Sequence, residues 1–153
     1  MAKSINDIIV EEVERLKIDI QQSIDSSGKN ASKRTRDSLE VIPTANGAQL
    51  LGANYIGVLE TGRKAGKVPY DFADIIQKWA KFKGITFENE AKARRWASAV
   101  AWKISQEGTK QYNDGRIYDI LTKPIDDMTE RLTDKIAVEI INNIFDTNGD
   151  TLT

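Results

Sequence analysis

Ile5, Ile8, Ile9, Val13, Leu16, Ile20 and Ile24 recur at spacings of three and four, with acidic and basic residues at many of the positions between them. In a helix of 3.6 residues per turn these side chains line one stripe, and such a stripe is stable in water only when something covers it. Ser4, with Asp7 three residues on, makes an N-cap followed by an acidic N3 residue, close to a capping box. Ser26, Ser27 and Gly28 close the pattern, so the spacing predicts a helix over 5–25. A second stripe lies at the other end of the chain. Thr122-Lys123-Pro124 opens it, proline being favoured in a first helical turn. Ile125, Met128, Leu132, Ile136, Ile140 and Ile144 carry it, and Val138, Ile141 and Phe145 widen it. This predicts a helix over 124–145, although the β-branched run KIAVEII at 135–141 also suits a strand. The two end segments, 1–27 and 122–146, are long enough to reach a neighbouring subunit.

The middle of the chain reads as smaller pieces. SGKNASKRTR is polar, basic and aperiodic, a loop or short helix. Two short apolar runs around Asn46-Gly47 then predict a β-hairpin over 38–53, with strands at 38–43 and 48–53, because both turn residues tolerate positive φ. Pro43 cannot donate a ladder hydrogen bond, which makes its strand an edge or ends it. Asn54–Thr61 reads as a short helix closed by Gly62. Asp71 is positioned to cap a helix over 72–83 carrying Phe72, Ile75, Ile76, Trp79 and Phe82, with Gly84 as its stop. Another helix, over 90–107, carries Ala93, Trp96, Ala97, Val100, Ala101 and Ile104 and ends at Gly108. GTKQYNDG follows as a loop. The periodicity places Trp79, Trp96, Trp102, Val100 and Ile104 in the core. The predicted fold class is α+β, four helices around a small antiparallel sheet, in a single domain over 1–153 that buries about two thirds of its unfolded surface.

Composition narrows the chemistry. The chain has neither cysteine nor histidine, which removes disulfides, thiolate metal sites, the commonest general base and the commonest transition-metal ligand. No apolar run approaches the roughly 20 residues that span a bilayer, and the N-terminus lacks the pattern of a signal peptide. Gly57 and Gly62 are spaced as in a Walker loop, but Arg63-Lys64-Ala65 follows where Lys and then Ser or Thr are needed to hold phosphate and magnesium. Asp146-Thr147-Asn148-Gly149-Asp150 imitates the start of a calcium loop with its glycine two positions early and no twelfth-position Glu, and reads better as a frayed terminus. The adjacent carboxylates Glu11-Glu12 and Asp126-Asp127 fall on predicted polar helix faces. No catalytic site, cofactor or metal is expected.

Charge is unevenly spread. Residues 1–27 carry 3 cations and 6 anions, residues 28–112 carry 15 and 8, and residues 113–153 carry 4 and 9. A basic middle between acidic ends attracts nucleic acid or lets one subunit's ends meet another's middle. Its cations cluster at Lys29, Lys33, Arg34 and Arg36, at Arg63, Lys64 and Lys67, and at Lys92, Arg94 and Arg95. Glu60 stands among Tyr55, Ile56, Val58 and Leu59. A half-buried carboxylate needs a partner. Arg63 three residues on is the nearest in sequence, and a cation on an adjacent subunit is the alternative.

The stretches NYIGVLETGRKAGKVP, IIQKWAKFKGI and ARRWASAVAWKISQEGTKQY, in this order, resemble the tail-completion (neck, or head–tail joining) proteins of tailed bacteriophages. The likeness covers 38–112. It rests on a hairpin leading to Tyr55, Glu60 and Gly62, then a proline, a helix ending in Lys-Gly-Ile and an Ala-rich helix ending in Gly-Thr. The longer Gly-Arg-Lys-x-Gly-Lys-x-Pro loop is similar to the versions from phages of gut Bacteroidetes. The resemblance implies a non-enzymatic virion protein made in the host bacterial cytoplasm. It implies a homo-oligomeric ring of six or twelve copies between the portal–adaptor assembly and the tail, with viral DNA passing through and no membrane partner. Glu60, Arg63, Lys64, Lys67, Lys33, Arg34 and Arg36 are then candidate contacts to neighbouring subunits or to the DNA channel. Two other readings stay open: a small DNA-binding protein without sequence preference that uses the basic middle, and a hydrolase working with carboxylates alone.

Overall fold

The computed structural model describes residues 3–29 and 32–149. Helix α1 (Ile5–Ser26) begins at the expected capping box: the Asp7 amide donates to Ser4 Oγ at 3.1 Å, and the Ser4 amide donates to Asp7 Oδ2 at 3.2 Å. After the single turn α2 (Arg34–Asp37), strands β1 (Glu40–Thr44) and β2 (Gly47–Leu51) form a two-stranded antiparallel sheet. Then come α3 (Ile56–Thr61), α4 (Phe72–Phe82), α5 (Glu90–Glu107), the turn α6 (Lys110–Asn113) and α7 (Thr122–Gly149). The fold is a small α+β arrangement in which helix predominates. KIAVEII is helical throughout, as part of α7. Of the calcium-loop imitation, residues 146–149 are the end of that helix, and Asp150 lies outside the described residues.

The hairpin departs from expectation by one residue. Thr44 pairs with Gly47, so the turn is Ala45-Asn46, and neither residue takes a positive φ. Tertiary packing decides this register: Gly47 is buried, and a Cβ there would lie 3.7 Å from Ile9 of α1. The hairpin lies against α1, and a one-residue slip would turn its apolar side chains to the wrong face.

Helices α1 and α7 pack antiparallel. Leu16, Ile20 and Ile24 are buried with Leu39 and Ile120, and Leu50, Ile56, Leu59 and Met128 close around them. One ion cluster crosses this pair. Glu12, almost wholly buried, accepts from Arg131 Nε at 2.9 Å and Lys135 Nζ at 2.5 Å, and Arg131 also reaches Asp19 at 3.3 Å. The first helix is therefore a core element of its own subunit. Its sequence stripe fits the role, since Ile8, Val13, Leu16, Ile20 and Ile24 are its buried apolar residues.

A second apolar cluster holds α4 and α5 together. Ala93, Ala97 and Ala101 let the two helices approach closely, and Ile76 and Ala80 meet them from α4. Trp96, Val100 and Ile104 pack half-buried on this cluster, with the Phe87 ring 5.2 Å from that of Trp96. Trp79 and Trp102 are not core residues: they are 45% and 67% exposed. The reason is that α4 is apolar on two faces. Phe72, Ala73, Ile76 and Ala80 turn inward, so Ile75, Trp79 and Phe82 turn outward. Asp71 precedes α4, but its side chain makes no capping hydrogen bond. Gly84, at φ +75°, ends that helix with the Ile85 amide bonded to the Ala80 carbonyl, and Asn89 caps α5 through the Lys92 amide.

The Glu12 cluster sets a pH dependence. Burial pushes the Glu12 carboxyl up, but hydrogen bonds and charge from Lys135 and Arg131 outweigh it and hold the group below its ordinary value of 4.5. The unfolded chain thus binds more protons than the folded one in acid, and stability rises with pH there. The contribution is complete above the ordinary carboxylate value and is lost as pH falls through the depressed one. Urea midpoints measured from neutrality into acid should show this loss. Glu12→Gln should weaken the protein by about 1–3 kcal/mol at neutral pH and flatten that part of the profile.

Candidate functional site

Residues 54–70 hold the geometry that the sequence marks out. Glu60 is 5% exposed and is the penultimate residue of α3. Its partner is neither Arg63 nor any other cation among the described residues. Oε2 accepts from the Leu121 amide at 3.3 Å and Oε1 from the Thr122 amide at 3.2 Å, where α7 begins. The first amides of a helix have no intrahelical acceptor and carry partial positive charge, so a carboxylate placed there meets the need that sequence reasoning assigned to a cation. The Glu60 carbonyl also accepts from the Tyr118 amide at 2.9 Å and from Gln111 Nε2 at 2.7 Å. One residue therefore ties α3, α6 and the start of α7 together.

Two glycines then cross. Gly62 follows α3 with φ 79° and ψ −175°, and Gly108 follows α5 with φ 78° and ψ −174°. Each amide closes its helix on the carbonyl four residues back, Val58 and Ile104, at 2.8 Å. Only glycine occupies this backbone region readily. Beyond the glycines the two segments bond to each other. The Thr109 amide donates to the Arg63 carbonyl at 2.8 Å, and the Arg63 amide donates to Thr109 Oγ1 at 2.9 Å. The Gly66 amide adds a bond to the Ser105 carbonyl at 2.9 Å. The loop is thereby pinned to the end of α5 almost entirely by main-chain atoms. The part played by Gly108-Thr109 is invisible in sequence, because it lies 46 residues from Arg63.

The three loop cations separate in role. Arg63 is half-buried; it donates to the Lys67 carbonyl at 2.8 Å and lies over the Phe72 ring, 5.4 Å from its centroid. Lys64 and Lys67 are exposed and make no ion pair among the described residues. Tyr70 beside them is fully exposed. Along α5, Arg95 and Trp102 share the outer face at a spacing of seven, next to the exposed Lys103. Loop and helix thus present cations and aromatics on the outside of the α4–α5 hairpin, a surface suited to phosphates, bases or an acidic protein face.

Of the first cation cluster, Lys29 is held against α6, donating to Gln111 Oε1 at 2.6 Å. Lys33, at φ +60°, and Arg34 are exposed at the start of α2, while Arg36 pairs with Asp25 and Asp37 at 3.0 Å each. Those two carboxylates raise the Arg36 pKa. Near the α1–α7 junction a groove of about 590 Å³ is lined by polar residues including Arg15, Asp19, Asp119 and Asp127. Among the described residues, no cluster of three acidic side chains is arranged to hold a metal ion, and no helix is long and apolar enough to cross a membrane. Comparison with protein-family models, curated proteins and solved structures returns no match to this chain.

Two substitutions test the joint. Gly108→Ala places a Cβ 2.7 Å from the Arg63 carbonyl oxygen and 2.9 Å from the Ala65 amide nitrogen. The backbone conformation alone should cost roughly 1–3 kcal/mol. Gly57→Ala, with open space around it, should be neutral or slightly stabilising in the same melting experiment. Glu60→Ala leaves the first amides of α7 without their acceptor and should destabilise by about 1–3 kcal/mol in denaturant titration.

Proposed function

We propose that this chain is a structural virion protein of a tailed phage, one copy of a ring in the neck that joins the portal–adaptor assembly to the tail around the DNA channel. One observation carries this reading. The basic loop is locked by main-chain bonds while Lys64, Lys67 and Tyr70 point outward from it, so the fold expends structure on presenting a contact surface. The large exposed side chains of α4 and α5 support the same view, since contiguous exposed apolar surface marks interaction sites. The likeness in the order of elements over 38–112 supplies the identity of the assembly. Ring size stays at six or twelve.

A second reading has its own observation. Trp102, 67% exposed between Arg95 and Lys103 in sequence, has the composition of a stacking platform for single-stranded nucleic acid. Under that reading the free protein binds DNA tightly.

The two readings separate in the encoding phage. A null allele should yield DNA-filled heads and tails that fail to join, seen by negative-stain microscopy. The wild-type gene should restore plaques, and the folded Lys64→Glu/Lys67→Glu variant should not. Normal particles from the null allele would refute the neck assignment. Tight DNA binding by the free protein would favour the second reading, with log affinity falling steeply against log salt and the slope reduced by about 0.9 per lost duplex-phosphate contact.

A further inference from the structure

Two exposed apolar stripes lie at opposite poles of the subunit. Helix α7 runs back along α1. Ile120, just before α7, packs with Ile24 near the end of α1, and Lys135 reaches Glu12 nearer its start. At equal rise per residue Ile5 lies abreast of about residue 140, so the last turns of α7 pass beyond the beginning of α1. There Val138, Ile141 and Phe145 are exposed, Phe145 to 70%. Their spacing of three and four puts them on one face, opposite the Leu132–Ile136 face that packs toward α1.

The other surface is the outer stripe of α4, Ile75, Trp79 and Phe82, spaced by four and three. Its C-cap is Lys83, whose ammonium donates to the Gly28 carbonyl just past the C-terminal end of α1. The 22 residues of α1 hold the poles about 33 Å apart, so the tail of α7 does not reach α4 of its own subunit. The two helix segments are opposite in charge. After Lys135, which is engaged by Glu12, the described part of α7 has only Glu139 and Asp146 as charged residues. After Asp74, α4 has only Lys78 and Lys81, and Lys83 caps its end.

We propose that the C-terminal end of α7 in one copy docks on the outer stripe of α4 in the next. Val138, Ile141 and Phe145 pack on Ile75, Trp79 and Phe82, and the acidic end of α7 comes to lie along the basic α4. The repeats match the seam of a short coiled coil, and the opposite charge of the two helix segments favours this pairing over that of either surface with itself. Because the surfaces differ and lie at opposite poles, the contact is head-to-tail and propagates around a ring or along a filament. This inference rests on the assembly reading and names the surfaces that it would use.

Phe145→Asp and Trp79→Asp alter exposed side chains, and circular dichroism and melting establish that each variant is folded. In sedimentation across a concentration series up to the solubility limit, the wild type should associate. Each variant alone should associate roughly tenfold more weakly or not at all. Mixed together they should form a heterodimer and nothing larger, because only one intact pair of surfaces remains. Glu139→Lys/Asp146→Lys should also weaken association, and adding Lys78→Glu/Lys81→Glu to the same chain should restore it. A wild-type oligomer that survives both aspartate substitutions overturns this docking and leaves the assembly reading standing. A wild type that stays monomeric throughout also overturns the docking, whereas the assembly reading falls only with the null-allele result.

Discussion

The carboxylate of Glu60 on the first amides of α7 is the contact on which the arrangement depends. The longest helix of the chain begins after an extended linker, and the amides of Leu121 and Thr122 need acceptors there. A carboxylate supplies two acceptors at once, and its charge meets the positive end of the helix. Because Glu60 is also the penultimate residue of α3, fixing it fixes where Gly62 turns, and hence where the loop meets Thr109. The start of α7 and the basic loop are two ends of one connection.

The packing follows from that connection. The α1–α7 pair with its hairpin makes one apolar cluster, and α4 with α5 makes another. They are joined by polar links: Arg63 to Thr109, Gly66 to Ser105, Lys83 to Gly28 and Lys29 to Gln111. A helical hairpin held this way keeps both of its outer faces available. This is why large aromatic side chains can remain outside without any defect in the core that the alanine face of α5 provides.

The long elements were legible in the sequence and the contacts between them were not. Helix α1 carries its cap, stripe and stop within one segment, so local reasoning suffices for it. The helical ranges of α4 and α5 were legible for the same reason, through Gly84, Asn89 and Gly108. Which face of α4 turns inward was not, because Ile76 and Trp79 are both apolar at helical spacing and the choice belongs to the alanines of another helix. The hairpin register depended on Ile9, far upstream. Glu60 shows in sequence that it needs a partner, but its partners are backbone amides, which no residue-type pattern can reveal. Glu12 reads in sequence as one more solvated charge, because its two cations lie on a helix more than a hundred residues away. Arg63, Lys64 and Lys67 form one cluster in sequence, whereas the Phe72 ring and the Lys67 carbonyl separate Arg63 from the other two in the fold.

The crossing of Gly62 and Gly108 carries a consequence for variation. Its bonds come from amides and carbonyls, with only the Thr109 hydroxyl added, so the identities of residues 64, 65 and 67 hardly enter the joint. Side chains at those positions can change while the loop keeps its place in space. Fold and recognition are thereby uncoupled at this point of the chain. A lineage facing a new partner could reverse the charge of the loop by single substitutions, with no compensating change in the scaffold that presents it.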